Sequence, residues 1–207
     1  MKLCIFGGTF DPVHAGHLLI AREVCRRLSP VRVVLVPAGR PWLKTDRVIA
    51  PAADRAAMAE LAVGEEACMS VSTMEIERPG PSYTVDTLQR MKTDLPAGDE
   101  LYFVVGWDKL AELPAWKEPE RIIALCRLVA VPRTGTPVPT PAVMERILPG
   151  LSRRVVLFEE PEIDISSTVI RERVRLGLPV DKMVPVAVAA YISEHGLYRS
   201  KSEEAPG

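Results

Sequence analysis

The chain of 207 residues is poor in several features that would have decided its class at once. Its longest apolar stretches, residues 33–36 and 185–192, fall far short of the roughly 18 residues a membrane span needs, which excludes a spanning helix. Charge of one sign is also missing, since 26 Lys and Arg face 27 Asp and Glu and leave a net charge of -1. Such a surface has no global field to recruit nucleic acid or an anionic lipid face, so neither is an expected partner and any bound anion must be held locally. The four cysteines, Cys4, Cys25, Cys68 and Cys126, contain no CxxC pair for zinc or redox work and are expected to be reduced packing residues. The start, Met1-Lys2-Leu3-Cys4-Ile5-Phe6, runs straight into Gly7-Gly8 without the apolar core or cleavage site of a secretory signal, so the expected location is the cytoplasm.

What is present is the composition of an ordinary folded domain, 47% hydrophobic and 26% charged. At a prior of about 150 residues per domain the length favours one domain, expected over residues 1–198 with a polar tail at 199–207. Residues 2–6 and 31–36 are short apolar runs bounded by Gly or Pro, the pattern of strands buried on both faces of a parallel sheet. Between them Leu18, Leu19, Ala21, Val24, Cys25 and Leu28 recur at helical spacing, opposite Arg22, Glu23, Arg26 and Arg27. The alternation continues with helices predicted near 53–63, 82–92 and 119–126, and strands near 69–73, 101–105, 127–131 and 154–158. Residues 132–141 read as a loop, and two closing helices are expected near 167–176 and 185–195. Strands alternating with helices give an α/β fold, a Rossmann-like doubly wound parallel sheet with C-terminal helices.

The chemistry concentrates where the first strand meets the first helix, in Gly7-Gly8-Thr9-Phe10-Asp11-Pro12-Val13-His14-Ala15-Gly16-His17. Open α/β sheets bind ligands outside the carboxyl ends of their strands, and a helix start offers amides and a partial positive charge to an anion. Gly7 and Gly8 permit close backbone approach, while His14 and His17, one helical turn apart, can reach one spot and donate to phosphate oxygens. Two histidines with no third ligand at metal spacing make a poor zinc site, so no protein-held metal is expected. A second polar cluster, Ile165-Ser166-Ser167-Thr168-Val169-Ile170-Arg171, places three hydroxyls at a predicted helix start and a guanidinium on its first turn. It suits either a helix cap or a polyphosphate tail.

The first string resembles the nucleotidyltransferase superfamily marked by a Gly-rich turn followed by His-x-Gly-His, and the second resembles that superfamily's Ser-x-x-Arg signature. Three further segments, residues 81–88 (PSYTVDTL), 105–108 (VGWD) and 113–116 (LPAW), together with the ending at 191–198 (YISEHGLY), resemble the bacterial nicotinate-nucleotide adenylyltransferases over nearly the whole chain. The resemblance implies transfer of AMP from ATP to nicotinate mononucleotide, giving nicotinate adenine dinucleotide and pyrophosphate, with Mg²⁺ carried in on ATP. It implies that His17 stabilises the α-phosphate, with His14 beside it and Arg171 acting on the departing phosphates. By the same likeness Gly7, Gly8, Thr9, Phe10, Lys44, Gly106, Asp108, Ser166, Ser167 and Thr168 bind ATP, and Tyr83, Thr84 and Trp116 bind the nicotinate nucleotide, Trp116 by stacking. Trp42-Leu43 and Trp107 depart from the residues usual at those places.

The histidine motif alone leaves other acceptors open, among them phosphopantetheine, glycerol phosphate and nicotinamide mononucleotide. A nucleotide-binding protein or dehydrogenase is disfavoured because GxGxxG and GxxxxGK[ST] are both missing. The stretch from Arg40 to Ala50 is expected to be a lid over the substrate, and the oligomeric state is open, a homo-oligomer included.

Overall fold

The computed structural model describes residues 1–29, 31–42, 49–132, 134–161 and 164–199. Apolar runs form the strands β1 (Lys2–Gly8), β2 (Val31–Pro37), β3 (Met69–Val71), β4 (Glu100–Gly106), β5 (Arg127–Val131) and β6 (Val155–Leu157). They pair in parallel in the order β3-β2-β1-β4-β5-β6. β1 sits at the centre, with Lys2 opposite Val31 on one side and Glu100 on the other. The strand order reverses between β1 and β4, and in such a sheet this switch point opens a crevice at the carboxyl ends.

Both faces of the sheet are covered, as the unbroken apolar runs require. Alternate residues feed two cores: Cys4, Phe6, Val33, Leu35, Tyr102, Val104 and Val129 face one, and Ile5, Val34, Val36, Phe103, Val105, Leu128 and Ala130 the other. The first core is closed by α1 (Ala15–Leu28), α2 (Ala52–Val63), α8 (Ser167–Arg175) and α9 (Val186–Glu194). The second is closed by α4 (Thr84–Asp94), α5 (Trp107–Leu110), α6 (Pro119–Leu125) and α7 (Pro141–Ile147), with α3 (Met74–Glu77) at its margin. In α1 the buried stripe is Leu18, Ile20, Ala21, Val24 and Leu28, and Arg26 and Arg27 occupy the last turn, where the helix dipole favours cations.

The predicted elements lie where they were expected, with local differences. β3 ends at Val71, because Thr73 already begins the turn into α3. The loop from Pro132 gives way at Pro141 to α7, whose start is capped by the Thr140 hydroxyl accepting from the Val143 amide at 3.3 Å. The closing segment predicted to 207 is described to Arg199, and residues 200–207 lie outside the described residues.

The cysteines correct one expectation. Cys25 on α1 and Cys68 ahead of β3 form a disulfide across a sequence separation of 43, with Cα atoms 6.3 Å apart. Packing of α1 along the β2–β3 edge brings them together, as the Arg22–Glu66 ion pair at 2.7 Å and the Val33 amide on the Cys68 carbonyl at 2.8 Å also show. Cys4 and Cys126 are free and buried, and burial pushes the Cys126 thiol up to about 12. The unreduced, denatured protein should therefore titrate two thiols, and reduction should lower stability by about 3–4 kcal/mol for a loop of this length. Four thiols without reductant would remove the crosslink.

Candidate active site

Where β1 ends, the chain must turn sharply to enter α1, and the local residues are suited to that turn. A Cβ on Gly8 would lie 2.9 Å from the Phe10 ring, so only glycine lets the backbone pass there. Phe10 itself takes a left-handed conformation (φ 49°) and is buried under the turn, its ring edge-on to Phe6 at 5.6 Å and to His17 at 5.0 Å. The turn thereby fixes a platform for the two histidines. Their rings stack with centroids 3.6 Å apart, His14 buried and His17 half-buried.

His17 Nδ1 accepts the backbone N–H of His14 at 3.2 Å. In the neutral imidazole this places the proton on Nε2, making that atom the ring's donor. The start of α1 is less open than a bare helix end, because the Ala15 amide donates to the Met183 carbonyl and the His17 amide to the His14 carbonyl, both at 2.9 Å. Side chains, rather than helix-start amides, therefore carry most of the anion-binding capacity at this corner.

Opposite the histidines stands the first turn of α8. Ser166 is its N-cap, its hydroxyl oxygen accepting from the Val169 amide at 3.3 Å. The Ser167 hydroxyl donates to the Pro12 carbonyl at 2.9 Å and Arg171 Nη1 to the Asp11 carbonyl at 2.7 Å, so α8 is stitched to the β1–α1 turn. Arg171 Nη2 also donates to Thr168 Oγ1 at 3.3 Å, leaving the Thr168 proton for another acceptor.

These groups share a cavity of about 380 Å³ at the switch point of the sheet. Its walls include Gly7, Gly8, Thr9, Phe10, His14 and His17 from the first turn, Gly106, Asp108 and Trp116 following β4, and Ser166, Ser167, Thr168 and Arg171 from α8. A larger groove of about 680 Å³ between α8 and α9 is walled by Leu176, Leu178 and Ile192 among others and by none of the expected ATP- or nicotinate-binding residues. The smaller cavity is the candidate site because the donors converge on it.

Trp116 stands at the cavity wall, half-buried, its ring edge-on to Phe103 at 6.3 Å. Trp107 faces away into the second core, where its indole N–H donates to the Ala130 carbonyl at 3.2 Å. Tyr83 and Thr84 are not among the lining residues. Tyr83 precedes α4, with Trp42 at 5.7 Å and the Lys117 ammonium 4.7 Å over its ring, and Thr84 opens the helix. Lys44 and most of the expected lid lie outside the described residues.

Residues that the sequence reading passed over hold this corner together. Arg55, 1% exposed, donates to the carbonyls of Ala50 at 3.0 Å, Thr9 at 2.8 Å and Gly39 at 3.3 Å. Its burial lowers the guanidinium pKa, and the nearby Asp11 carboxylate opposes that shift. Asp11, 3% exposed, accepts from the Ala50 amide at 3.2 Å and the Tyr198 hydroxyl at 2.8 Å. A second buried carboxylate, Glu75, accepts from the Thr87 hydroxyl at 2.5 Å, and burial raises its pKa. The Ser82 hydroxyl beside it accepts the Gly39 and Arg40 amides at 2.9 and 3.1 Å. No pattern of spacing marks these residues, since most of their partners come from distant parts of the chain.

The profile of the cytidylyltransferase-like family matches residues 5–173, a span that contains both the histidine turn and the first turn of α8. The chain belongs to the cytidylyltransferase-like family. Among its relatives within this family, a Dehalococcoides mccartyi protein named "Probable nicotinate-nucleotide adenylyltransferase" is 49% identical over 201 residues, covering 97% of this chain and 98% of its own. A Thermus thermophilus protein of the same name is 45% identical over 199 residues, covering 96% of this chain and 100% of its own. The nicotinic acid mononucleotide adenylyltransferase of Plasmodium falciparum, solved in complex with NaAD, superposes with a TM-score of 0.77 over 95% of this chain and 97% of that one. At 18% identity that likeness establishes the cytidylyltransferase-like chain's shared fold.

Proposed function

We propose that this chain transfers the adenylyl group of ATP to nicotinate mononucleotide, releasing pyrophosphate and nicotinate adenine dinucleotide. The observation that carries the reading is the convergence of His14, His17 and Arg171 on one cavity at the sheet's switch point, which Trp116 also lines. Nearly full-length relatives that bear the corresponding name support it.

The reaction joins a phosphate oxygen of the acceptor to the α-phosphorus of ATP and breaks the bond from that phosphorus to the bridging oxygen of pyrophosphate. The acceptor phosphate is already ionised and needs no general base, so the protein's work is alignment and charge stabilisation. Gly7, Gly8, Thr9 and Phe10 shape the cradle, His17 donates through Nε2 to the α-phosphate, and His14 supports it. Arg171, Thr168 and the α8 cap meet the departing phosphates, while Gly106 and Asp108 flank the nucleotide. Tyr83 and Thr84 are assigned to the nicotinate side, with Trp116 as the stacking wall. ATP enters as its magnesium complex. Magnesium keeps several waters and leans on substrate phosphates.

The test is pyrophosphate release with Mg-ATP and, side by side, nicotinate mononucleotide, nicotinamide mononucleotide and phosphopantetheine. A strong preference for the first is expected. Preference for another acceptor would keep the histidine chemistry and discard the acceptor assignment, and silence with all three would overturn the reading. Trp116→Ala should raise KM for nicotinate mononucleotide about tenfold while leaving kcat within a few-fold, since an aromatic stack contributes about 0.5–1.5 kcal/mol beyond area burial. An unchanged KM would place the pyridine ring elsewhere.

A further inference from the structure

Tyr198 lies 187 positions from Asp11, yet its hydroxyl donates to Asp11 Oδ1 at 2.8 Å. The chain is turned to achieve this. After α9, Gly196 and Tyr198 both take left-handed backbone conformations (φ 60° and 64°), the Leu197 amide returns to the Ile192 carbonyl at 3.0 Å, and Leu197 and Tyr198 pack on the first core. A tyrosine held at positive φ persists only where its surroundings compensate. Here the hydroxyl meets a buried carboxylate that would otherwise be poorly satisfied.

The other Asp11 oxygen, Oδ2, is buried with no hydrogen bond, and Arg171 Nη1 stands 3.6 Å from it. That same Nη1 donates to the Asp11 main-chain carbonyl at 2.7 Å. Two positions therefore compete for one guanidinium: the carbonyl, where Arg171 lines the cavity, and the carboxylate, where it would form a closer ion pair inside the protein. A buried carboxylate that loses a donor attracts the nearest cation more strongly. Arg55 cannot supply that cation without leaving the carbonyls of Thr9, Gly39 and Ala50.

We infer that Tyr198 is a positioning residue for Arg171: by engaging Asp11 Oδ1 it keeps the guanidinium on the Asp11 carbonyl and presented to the cavity. The inference rests on the reading that Arg171 meets the phosphates of the leaving group. The Tyr198 phenol, its pKa raised by burial and by the Asp11 charge, stays protonated and keeps donating across the working pH range.

The test is a double-mutant cycle. Tyr198→Phe should lower kcat/KM for ATP by about 10- to 100-fold, the scale of a displaced positioning group, with KM for nicotinate mononucleotide within twofold. In an Arg171→Ala background the same change should alter kcat/KM for ATP by less than twofold, although it lowers the melting temperature in both backgrounds, and further where no guanidinium can turn to the carboxylate. An equal kinetic loss in both backgrounds, or no loss in the parent, would overturn the inference and leave Tyr198 a structural residue. Should Tyr198→Phe not fold, the double variant Tyr198→Phe/Asp11→Asn, which has no carboxylate to draw the guanidinium inward, should keep kcat/KM for ATP within a few-fold of Asp11→Asn alone, and a tenfold loss there would overturn the inference. If the parent releases no pyrophosphate from ATP, the functional reading fails. The inference is then tested by calorimetric binding of inorganic pyrophosphate, weakened about tenfold by Tyr198→Phe only when Arg171 is present.

Discussion

Replacing His17 by alanine should lower turnover on the order of 10² to 10³-fold, the loss that follows removal of one donor aimed at transition-state charge. The expectation is specific because the imidazole is held on three sides. Its Nδ1 accepts the His14 amide, its face stacks on the His14 ring, and the edges of Phe6 and Phe10 meet it at 5.8 and 5.0 Å. The ring has little freedom to turn, so Nε2–H is set before substrate arrives and costs no reorganisation during the reaction. In the proposed reaction the α-phosphate gains charge on its oxygens as the acceptor attacks, so a His17 donor placed there would act more strongly in the transition state. The loss should therefore fall on kcat, with both KM values within a few-fold of the parent. Pyrophosphate release at saturating substrates measures it, and a near-parental rate would remove His17 from the mechanism.

Arg171→Ala should be nearly as severe, lowering kcat/KM for ATP by about 10²-fold or more, because a charge-assisted forked donor is lost from the leaving-group side. In the proposed mechanism Arg171, unlike His17, meets phosphates that ATP carries before reaction, so KM for ATP should rise together with the fall in kcat. The guanidinium is already committed at one edge to the Asp11 carbonyl and at another to Thr168 Oγ1. Lysine, with one compact ammonium, cannot hold the Asp11 carbonyl and serve a phosphate in the same geometry, so Arg171→Lys should recover only a small part of the loss. Parental kinetics in Arg171→Ala would move the pyrophosphate end of ATP away from α8.

The doubly wound sheet was readable from residues 2–6, 31–36, 101–105 and 127–131 because strands buried on both faces must be continuously apolar. The short helices α3 and α5, four residues each, have too few turns to show a period. α7 did carry a signal, Thr140 followed by Pro141, an N-cap and N1 pair at the end of a proline-rich run. Histidine and arginine at the site were legible because their neighbours in sequence, Gly7-Gly8 and Ser166-Ser167, are also their neighbours in space. Arg55 was not, since on α2 it has the look of a solvated charge, and its burial is set by the carbonyls of Thr9, Gly39 and Ala50.

The α/β alternation and the turn that carries His14 and His17 follow from local periodicity and from residues close along the chain. The pairing of Cys25 with Cys68, the inward turn of Trp107 while Trp116 lines the cavity, and the meeting of Asp11 with Arg171 and Tyr198 come from packing across the sheet. Those outcomes depend on where distant segments meet, and a buried charge or thiol is assigned its partner by the packing of the whole sheet and its helices, not by its place in the chain.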